Sequence, residues 1–369
     1  MSVIATIIAS LIFGLLFRRI KIPGGMMVGA IAGAFLLNLI FDYAYMPTAA
    51  RTITQIISGT IIACSINKED ITNFHRIIRP FAILISGYLL VNLAAGFIIY
   101  RISNLDLLTS LMSAVPGGIT DIPIISAEMG AVAPKVALLQ FIRMFMAFAL
   151  FPSIIVKMTG DRKKLPSDKT PEPGRAAQAP LPDSGKPSVP SPLSSIMSSK
   201  VTGKNSANLA ITLSVAACMG IIGRLSGIPA GTLIFAITGV SILKFATGRA
   251  YMPVTGRRIA QVLAGAYIGS CMTRSEIFEI RNLVLPAIIL VCLYCVNSVV
   301  MGYILHKKCG LELREAMFSS IPAGASEMAL IANDLGVQSI TLAKMQIMRI
   351  LCVIAVFPQV IALVVFLLS

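Results

Sequence analysis

Apolar runs close to the length of a bilayer crossing recur along both halves of this sequence, and they limit the fold more than any other feature. The chain is 56% hydrophobic and only 13% charged, so a water-soluble domain would lack the polar surface that keeps such domains in solution. The runs do not alternate at the period of two that a membrane-spanning β-strand requires. The sequence therefore predicts an all-α protein that crosses the membrane several times.

The second half of the chain repeats the first at a constant offset of 206 residues. Tyr45-Met46-Pro47 recurs as Tyr251-Met252-Pro253, and prolines and glycines match at the same offset throughout. Such a match indicates an internal duplication. We expect a first transmembrane repeat over residues 1–157 and a second over residues 207–369. Residues 158–206 are rich in proline, serine, glycine and lysine, which predicts a disordered linker.

Each repeat contains one apolar run that is interrupted by proline and glycine. In the first repeat, Leu105–Val115 is too short to cross the hydrocarbon, and it breaks at Pro116-Gly117-Gly118. A hydroxyl residue and an acid follow the break, as Thr120-Asp121 in the first repeat and Ser326-Glu327 in the second, which is typical of a helix start. We therefore expect two broken segments whose half-helix ends meet near the middle of the membrane.

The positions of lysine and arginine predict how the repeats are oriented, because cytoplasmic loops carry these residues in excess. The excess of lysine and arginine on the cytoplasmic side is largest when the first residue lies outside and the two halves are inverted. Each half then has about five crossings plus one re-entrant hairpin that is broken by Pro-Gly. The linker is then cytoplasmic. A broken helix that crosses the membrane, with an extra segment elsewhere, is the competing interpretation.

Charged residues recur inside the apolar spans of both repeats. Arg143 and Arg349 are equivalent, and burying one such charge costs about 2.5–3.5 kcal/mol even on the most lenient insertion scale. The acids are duplicated as well, Asp121 with Glu327 and Glu128 with Asp334. Either the arginines form internal ion pairs with these acids, or the arginines hold an anionic substrate while the acids carry the coupling cation. Lys344 has no charged equivalent and fits either a proton-linked role or a side chain that reaches the membrane surface.

Several function classes are disfavoured by the residues. The basic residues lie in short loops and the linker rather than on one helix face, which argues against nucleic-acid binding. The seven cysteines and two histidines show no paired metal-ligand spacing, and no phosphate-binding G-x-x-x-x-G-K-[ST] motif occurs. We predict neither an enzyme nor a metal site nor a cofactor, with Na⁺ as one candidate coupling ion. Gly25, Gly29 and Gly33 favour helix packing within the chain over a homodimer, which stays open as an alternative.

Three duplicated motifs carry a family resemblance: the Pro-Gly segment followed by a hydroxyl-acid pair, the acid-x-Gly sequence (Glu128-Met129-Gly130 and Asp334-Leu335-Gly336), and the Gln-x-x-Arg helix. Together they resemble the bacterial AbrB-type inner-membrane family and its AbrB duplication. The resemblance implies a multi-pass protein of the bacterial inner membrane. Members have been labelled as regulators and as ammonia monooxygenases, whereas the family's plan is similar to that of inverted-repeat secondary transporters.

We interpret the chain as a secondary transporter that moves a small organic anion by alternating access, coupled to H⁺ or Na⁺. A cation/H⁺ antiporter or channel with structural arginines is one alternative, and a membrane-embedded sensor that acts through a partner is another. The predicted substrate-binding residues are Pro116, Gly117, Gly118, Thr120, Gln140, Arg143, Pro322, Gly324, Ser326, Gln346 and Arg349. The predicted ion-coupling residues are Asp121, Glu128, Glu327, Asp334 and Lys344.

Overall fold

The computed structural model describes residues 2–20, 24–66, 77–159, 203–272, 274–322 and 340–368, and within these ranges the chain forms thirteen α-helices and no β-strand. The first half contributes α1 (Ser2–Arg19), α2 (Gly25–Phe41), α3 (Thr48–Ser65), α4 (Ile78–Ile102), α5 (Leu107–Ala114), α6 (Asp121–Met129) and α7 (Ala133–Thr159). The second half contributes α8 (Gly203–Leu225), α9 (Gly231–Thr247), α10 (Val254–Ser270), α11 (Arg274–Cys309), α12 (Leu313–Ser319) and α13 (Ile340–Leu368). The predicted linker lies almost entirely outside the described residues.

Five of the described helices are long and apolar enough to cross a membrane: Ser2–Arg19, Ile78–Ile102, Ser206–Leu225, Arg281–Cys309 and Lys344–Leu368. Gly25–Phe41 and Gly231–Thr247 are shorter apolar helices. Half of the apolar residues on α1 are exposed and the other half are partly exposed, which suits contact with lipid rather than water. The expected all-α membrane protein is confirmed.

Glycine spacing on α2 serves packing within the chain, as expected. A Cβ atom at Gly29 would lie 2.3 Å from the backbone oxygen of Phe13, and one at Gly33 would lie 2.5 Å from that of Ala9. Both contacts are to α1, so the small residues let these two helices approach closely.

Contacts between the two halves occur in pairs: each contact recurs between the equivalent residues with the two halves exchanged. Helix α2 packs against α10. The equivalent of α2 in the second half is α9, and α9 packs against α3, which is the equivalent of α10 in the first half. A Cβ atom at Gly265 would lie 2.5 Å from Ala30 Cβ, and one at the equivalent Gly59 would lie 2.9 Å from Ala236 Cβ. Because each contact is matched by its exchanged partner, a pseudo-two-fold axis relates the halves.

Hydrogen bonds at the helix ends show that the halves point in opposite directions. The Tyr45 N–H donates to Thr6 Oγ1 at 3.1 Å, so the chain leaving α2 stays near the start of α1. Helix α10 runs parallel to α2, because Gly265 lies against Ala30 and the Met272 backbone oxygen lies against Asn38. Arg51, near the start of α3, hydrogen-bonds Tyr267, near the end of α10, so α3 runs opposite to α10 and to α2. Lys244 Nζ, at the end of α9, donates to the Ile66 backbone oxygen at 2.5 Å, just after the end of α3. Helix α9 therefore runs parallel to α3 and opposite to α2, its own counterpart.

The equivalent hydrogen bond, with the two halves exchanged, also indicates that the halves are inverted. Asn38 Nδ2, at the position equivalent to Lys244, donates to the Met272 backbone oxygen at 2.8 Å. The end of α2 thus lies beside the end of α10, as the end of α9 lies beside the end of α3. The duplicated halves are inverted, as the distribution of basic residues predicted.

Candidate functional site

The Pro-Gly break of the first half lies at the tip of a helical hairpin formed by α5 and α6. Asp106 caps α5, since its Oδ2 accepts a hydrogen bond from the Thr109 N–H at 2.9 Å. The Val132 N–H, beyond the end of α6, donates to Thr109 Oγ1 at 3.0 Å. The chain therefore returns, after α6, to the end at which α5 began.

The tip of this hairpin is closely packed, with Pro116 buried and residues 117–120 half-buried. A Cβ atom at Gly117 would lie 2.3 Å from Ile122 Cγ1, so only glycine fits the turn without movement of its neighbours. Helix α6 begins at Asp121 directly after Thr120, where the sequence places a helix start, although the Thr120 side chain makes no cap hydrogen bond.

Two side chains of α7 bind the backbone oxygens at the end of α5. Gln140 Nε2 lies 2.9 Å from the Val115 oxygen and 3.2 Å from that of Ser113, with a longer contact to Met112 at 3.4 Å. Arg143 donates from Nη1 to the Val115 oxygen at 2.6 Å and from Nη2 to that of Gly117 at 2.8 Å. The predicted pair of Gln and Arg on one helix face therefore holds the broken end of α5.

The second half repeats this arrangement at the same spacing. Gln346 Nε2 donates to the Phe318 backbone oxygen at 3.0 Å, and Arg349 Nη1 donates to that of Ile321. Each of these bonds spans 28 residues, as do the bonds from Gln140 to Met112 and from Arg143 to Val115. The duplicated Gln-x-x-Arg motif thus makes the same contacts in both halves.

Each arginine also meets a tyrosine of the other half. The Arg143 guanidinium lies over the Tyr294 ring, 5.7 Å from its centroid, and the Tyr294 hydroxyl donates to the Ala114 oxygen at 2.5 Å. Tyr88 is equivalent to Tyr294 and interacts electrostatically with Arg349. These tyrosines were not among the predicted site residues.

Arg143 is 4% exposed, and its contacts in the described part of the chain include no carboxylate. The two acids predicted as candidate partners lie elsewhere: Glu128 accepts a hydrogen bond from Gln55 Nε2 at 2.6 Å, and Asp121 is hydrogen-bonded by Ser58. The alternative in which Arg143 forms an internal ion pair with either of these acids is not what the structure shows.

Helix α3 provides the polar surface that faces the acids, and sequence reasoning did not select its residues. Arg51 Nη1 donates to the Ala127 backbone oxygen at 2.9 Å at the end of α6, next to Glu128. Gln55 and Ser58 lie four and seven positions further along the helix, on the same face, and are buried. The spacing of Arg51, Gln55 and Ser58 along one face of α3 was the signal that could have identified them.

An open cleft of about 660 Å³ extends from the end of α6 to the neighbouring helices. Its lining brings together Arg51 and Glu128 of the first half and Arg224 of the second. Arg224 Nη1 also donates to Thr52 Oγ1 at 3.2 Å, which joins the end of α8 to the start of α3. Two arginines and one carboxylate give the described lining a net positive charge.

The structure describes two of the remaining predicted site residues. Pro322 is buried directly after Ile321, and Lys344 is half-buried near the start of α13. Gly324, Ser326, Glu327 and Asp334 lie outside the described residues. Within the described ranges no group of three or more His, Cys, Asp or Glu side chains is placed to hold a metal ion.

A family model described as "Transition state regulatory protein AbrB" matches residues 1–159 and 46–365 of this chain. The chain is also similar to the "Uncharacterized protein YhjN" of Bacillus subtilis (strain 168), with 23% identity over 282 residues. That match covers 73% of this chain and 67% of the relative. The matches to the family model extend over both halves that build the site.

Proposed function

We propose that this chain, which belongs to the AbrB family, is a secondary transporter that moves a small organic anion across the bacterial inner membrane by alternating access. The observation that carries this proposal is the open cleft of about 660 Å³ that reaches the α5–α6 hairpin and is lined by Arg51, Arg224 and Glu128. Its size falls in the range of small-molecule sites, and its net positive lining favours an anionic solute.

The inverted repeats support the alternating-access mechanism. Inverted repeats with broken helices at their interface are a recurring plan among secondary transporters, in which one bundle moves against the other around a central site. In this proposal the α5–α6 hairpin is re-entrant, with its tip near the bilayer centre. The cleft gives access from one face, and the equivalent surface of the other half gives access from the opposite face in the alternate state.

We assign the coupling role to the acids of the hairpin. Glu128 lies at the cleft and is held by Gln55, whereas Asp121 lies near the tip, where it is hydrogen-bonded by Ser58 and interacts electrostatically with Arg257 of α10. A carboxyl group that changes protonation as the hairpin moves would couple solute movement to a proton gradient. The equivalent acids of the second half, Glu327 and Asp334, are proposed to act in the same way.

In this proposal the Gln-x-x-Arg residues act as positioning residues, because their side chains are engaged with the backbone of the broken helix ends. Gln140 and Arg143 fix the end of α5. Gln346 and Arg349 do the same for the second half. The substrate-binding role therefore moves to the arginines of the cleft, Arg51 and Arg224.

The experiment that tests the function is uptake by the purified protein in proteoliposomes, against a panel of radiolabelled mono-, di- and tricarboxylic acids. Separate H⁺ and Na⁺ gradients are imposed, and protein-free liposomes and the Arg51→Gln variant serve as controls. We expect saturable uptake of at least one acid, stimulated by one gradient and reduced in the variant. The absence of flux for every acid would contradict the proposal.

Two further measurements separate the alternatives. A channel would show flux that does not saturate and no counterflow, whereas a transporter exchanges internal for external substrate. A sensor that acts through a partner would depend on the linker, so deletion of residues 165–198 would abolish its function. A transporter whose shortened linker still spans the gap should retain uptake.

A further inference from the structure

We infer that Arg143 and Arg349 take the place of a coupling cation at the broken helix ends, so that a tethered guanidinium fills the position that Na⁺ would otherwise occupy. This inference deepens the proposed transport function, because it names the ion chemistry of the site. Because it concerns the binding of a cation, it can be tested without measuring transport.

The first support is the set of ligands around the guanidinium of Arg143. The backbone oxygens at the end of α5, called the α5 carbonyl cluster here, all accept hydrogen bonds from side chains of α7 or α11. Arg143 holds those of Val115 and Gly117, and Tyr294 holds that of Ala114. The cluster consists of the backbone oxygens of Met112, Ser113, Ala114, Val115 and Gly117.

A group of freed backbone oxygens at the end of a broken helix is the chemistry that holds Na⁺ in transporters of this architecture. Oxygen ligands of this kind suit hard cations, which need no carboxylate when several carbonyls converge. In this protein the donors come from Gln140, Arg143 and Tyr294, so the cluster is already occupied. An arginine therefore serves at these oxygens in place of a coupling ion.

The second support is the charge balance around Arg143. Its side chain is 4% exposed, and its contacts in the described part of the chain include no carboxylate. Arg349 acts on it as a like charge. The groups that offset the buried charge are therefore the α5 carbonyl cluster, at the negative end of that helix, and the face of Tyr294. This is the electrostatic environment of a bound cation.

The third support is duplication. Arg349 is 2% exposed and donates to the Ile321 oxygen across the same 28-residue interval, and Gln346 binds the Phe318 oxygen. An accidental hydrogen bond would not be expected at both broken ends with the same spacing. The same pair of side chains therefore binds backbone oxygens at the equivalent position of both halves.

The test removes the tethered cation and offers a free one. The purified Arg143→Ala protein is melted in 10 mM guanidinium, Na⁺ or choline chloride at constant ionic strength, with the native protein alongside. We expect guanidinium and Na⁺ each to raise the Tm of the variant by about 3–5 °C relative to choline, because they bind the vacated oxygens in the folded state. The native protein should shift by less than about 1 °C, since its cluster is filled.

The matched control is Arg101→Ala, which removes an exposed arginine at the end of α4. Its Tm should not distinguish the three salts. Equal melting of Arg143→Ala in all three salts, or an equal response of the control, would overturn the inference. Stabilisation by guanidinium without any effect of Na⁺ would also overturn it, because the site would then bind guanidinium through its shape and would not be a general cation site.

A second comparison applies where Arg143→Ala does not fold. Arg143→Lys keeps a cation within reach of the carbonyls, whereas Arg143→Met keeps the length of the side chain without charge. The inference requires the lysine variant to express and melt above the methionine variant, and the reverse order contradicts it. Because these readouts need no transport, a chain that moves no anion but binds Na⁺ in Arg143→Ala would refute the proposed function and leave the cation site standing.

Discussion

Tyr88 and Tyr294 occupy equivalent positions in the two halves, and their rings pack against each other with centroids 6.4 Å apart. Two equivalent residues can touch only where the pseudo-two-fold axis passes between them. Each tyrosine also interacts with the arginine of the opposite half, as Tyr294 with Arg143 and Tyr88 with Arg349. The broken helix of one half is thus linked to a long helix of the other at the centre of the protein.

Removal of the Tyr294 hydroxyl should therefore weaken the first hairpin. In Tyr294→Phe the ring remains under Arg143, but the Ala114 oxygen loses its donor in a buried environment, which costs about 1–3 kcal/mol. We expect a lower Tm in detergent and slower uptake. Tyr303→Phe, on the same helix but 54% exposed, is the control and should change neither. Equal melting of the two variants would contradict the assigned hydrogen bond.

Close packing between the halves should make Gly265 intolerant of a methyl group. A Cβ atom there would lie 2.5 Å from Ala30 Cβ and 2.8 Å from the Met27 backbone oxygen. Gly265→Ala must separate α10 from α2, at a cost of about 1–3 kcal/mol. Thermal melts of the purified protein measure this loss, and Thr255→Ala, at an exposed position of the same helix, is the control. A variant at residue 265 as stable as the native protein would show that the helices are further apart.

The arginines of the cleft should set the affinity for the anion. Replacing Arg51 or Arg224 by glutamine removes one positive charge from the lining, and we expect KM to rise about tenfold, which corresponds to about 1.4 kcal/mol. Uptake kinetics at fixed pH measure this change. Arg101→Gln, at an exposed position on α4, should leave KM unaltered. An unchanged KM in both cleft variants would place the substrate elsewhere.

Glu128 should be required for coupling to a proton gradient but not for substrate exchange. Glu128→Gln keeps a hydrogen-bonding partner for Gln55, which donates to the native carboxylate at 2.6 Å, but it cannot change protonation. We expect uptake that no longer responds to an imposed pH gradient, together with retained counterflow. Asp42→Asn, in the exposed loop after α2, is the control. A pH-driven response that survives in Glu128→Gln would assign coupling to another group.

The ends of the α5–α6 hairpin should be accessible from the same side of the membrane. In a variant whose seven cysteines are replaced, single cysteines at Asn104 and Val132 should both react with an impermeant maleimide from one face. Cysteines at Tyr43 and Arg249, which occupy the loops after α2 and α9, should react from opposite faces because the halves are inverted. Labelling of positions 104 and 132 from opposite faces would show that the hairpin crosses.

Much of the architecture could be predicted because it depends on local chemistry. The short apolar run Leu105–Val115 and the break at Pro116-Gly117-Gly118 predicted α5 and the turn that follows, and α5 begins and ends within two residues of that run. The inversion of the halves followed from the sidedness of lysine and arginine, which reflects how the chain inserts into a membrane. The duplication itself is visible in any comparison of the two halves.

The partners of the buried charges could not be predicted in this way. Arg143 and Asp121 both lie inside apolar runs, and their spacing allows an ion pair as readily as separate contacts. Packing across the pseudo-two-fold axis decides the outcome, because it brings Tyr294 and the α5 carbonyl cluster to Arg143 and brings Ser58 to Asp121. The polar face of α3 was missed for the same reason, since Gln55 and Arg51 become site residues only when α6 lies beside them.

By itself, the sequence determined that the chain is a duplicated, inverted set of membrane helices with one break in each half, because hydrophobicity, proline, glycine and basic loops act locally. Only the tertiary structure decided that the buried arginines bind backbone oxygens, that Glu128 lies at the cleft and that Asp121 lies beside Ser58. The physical reason is that a charge in a low-dielectric interior is stabilised by whichever dipoles surround it, and the fold alone brings those dipoles together.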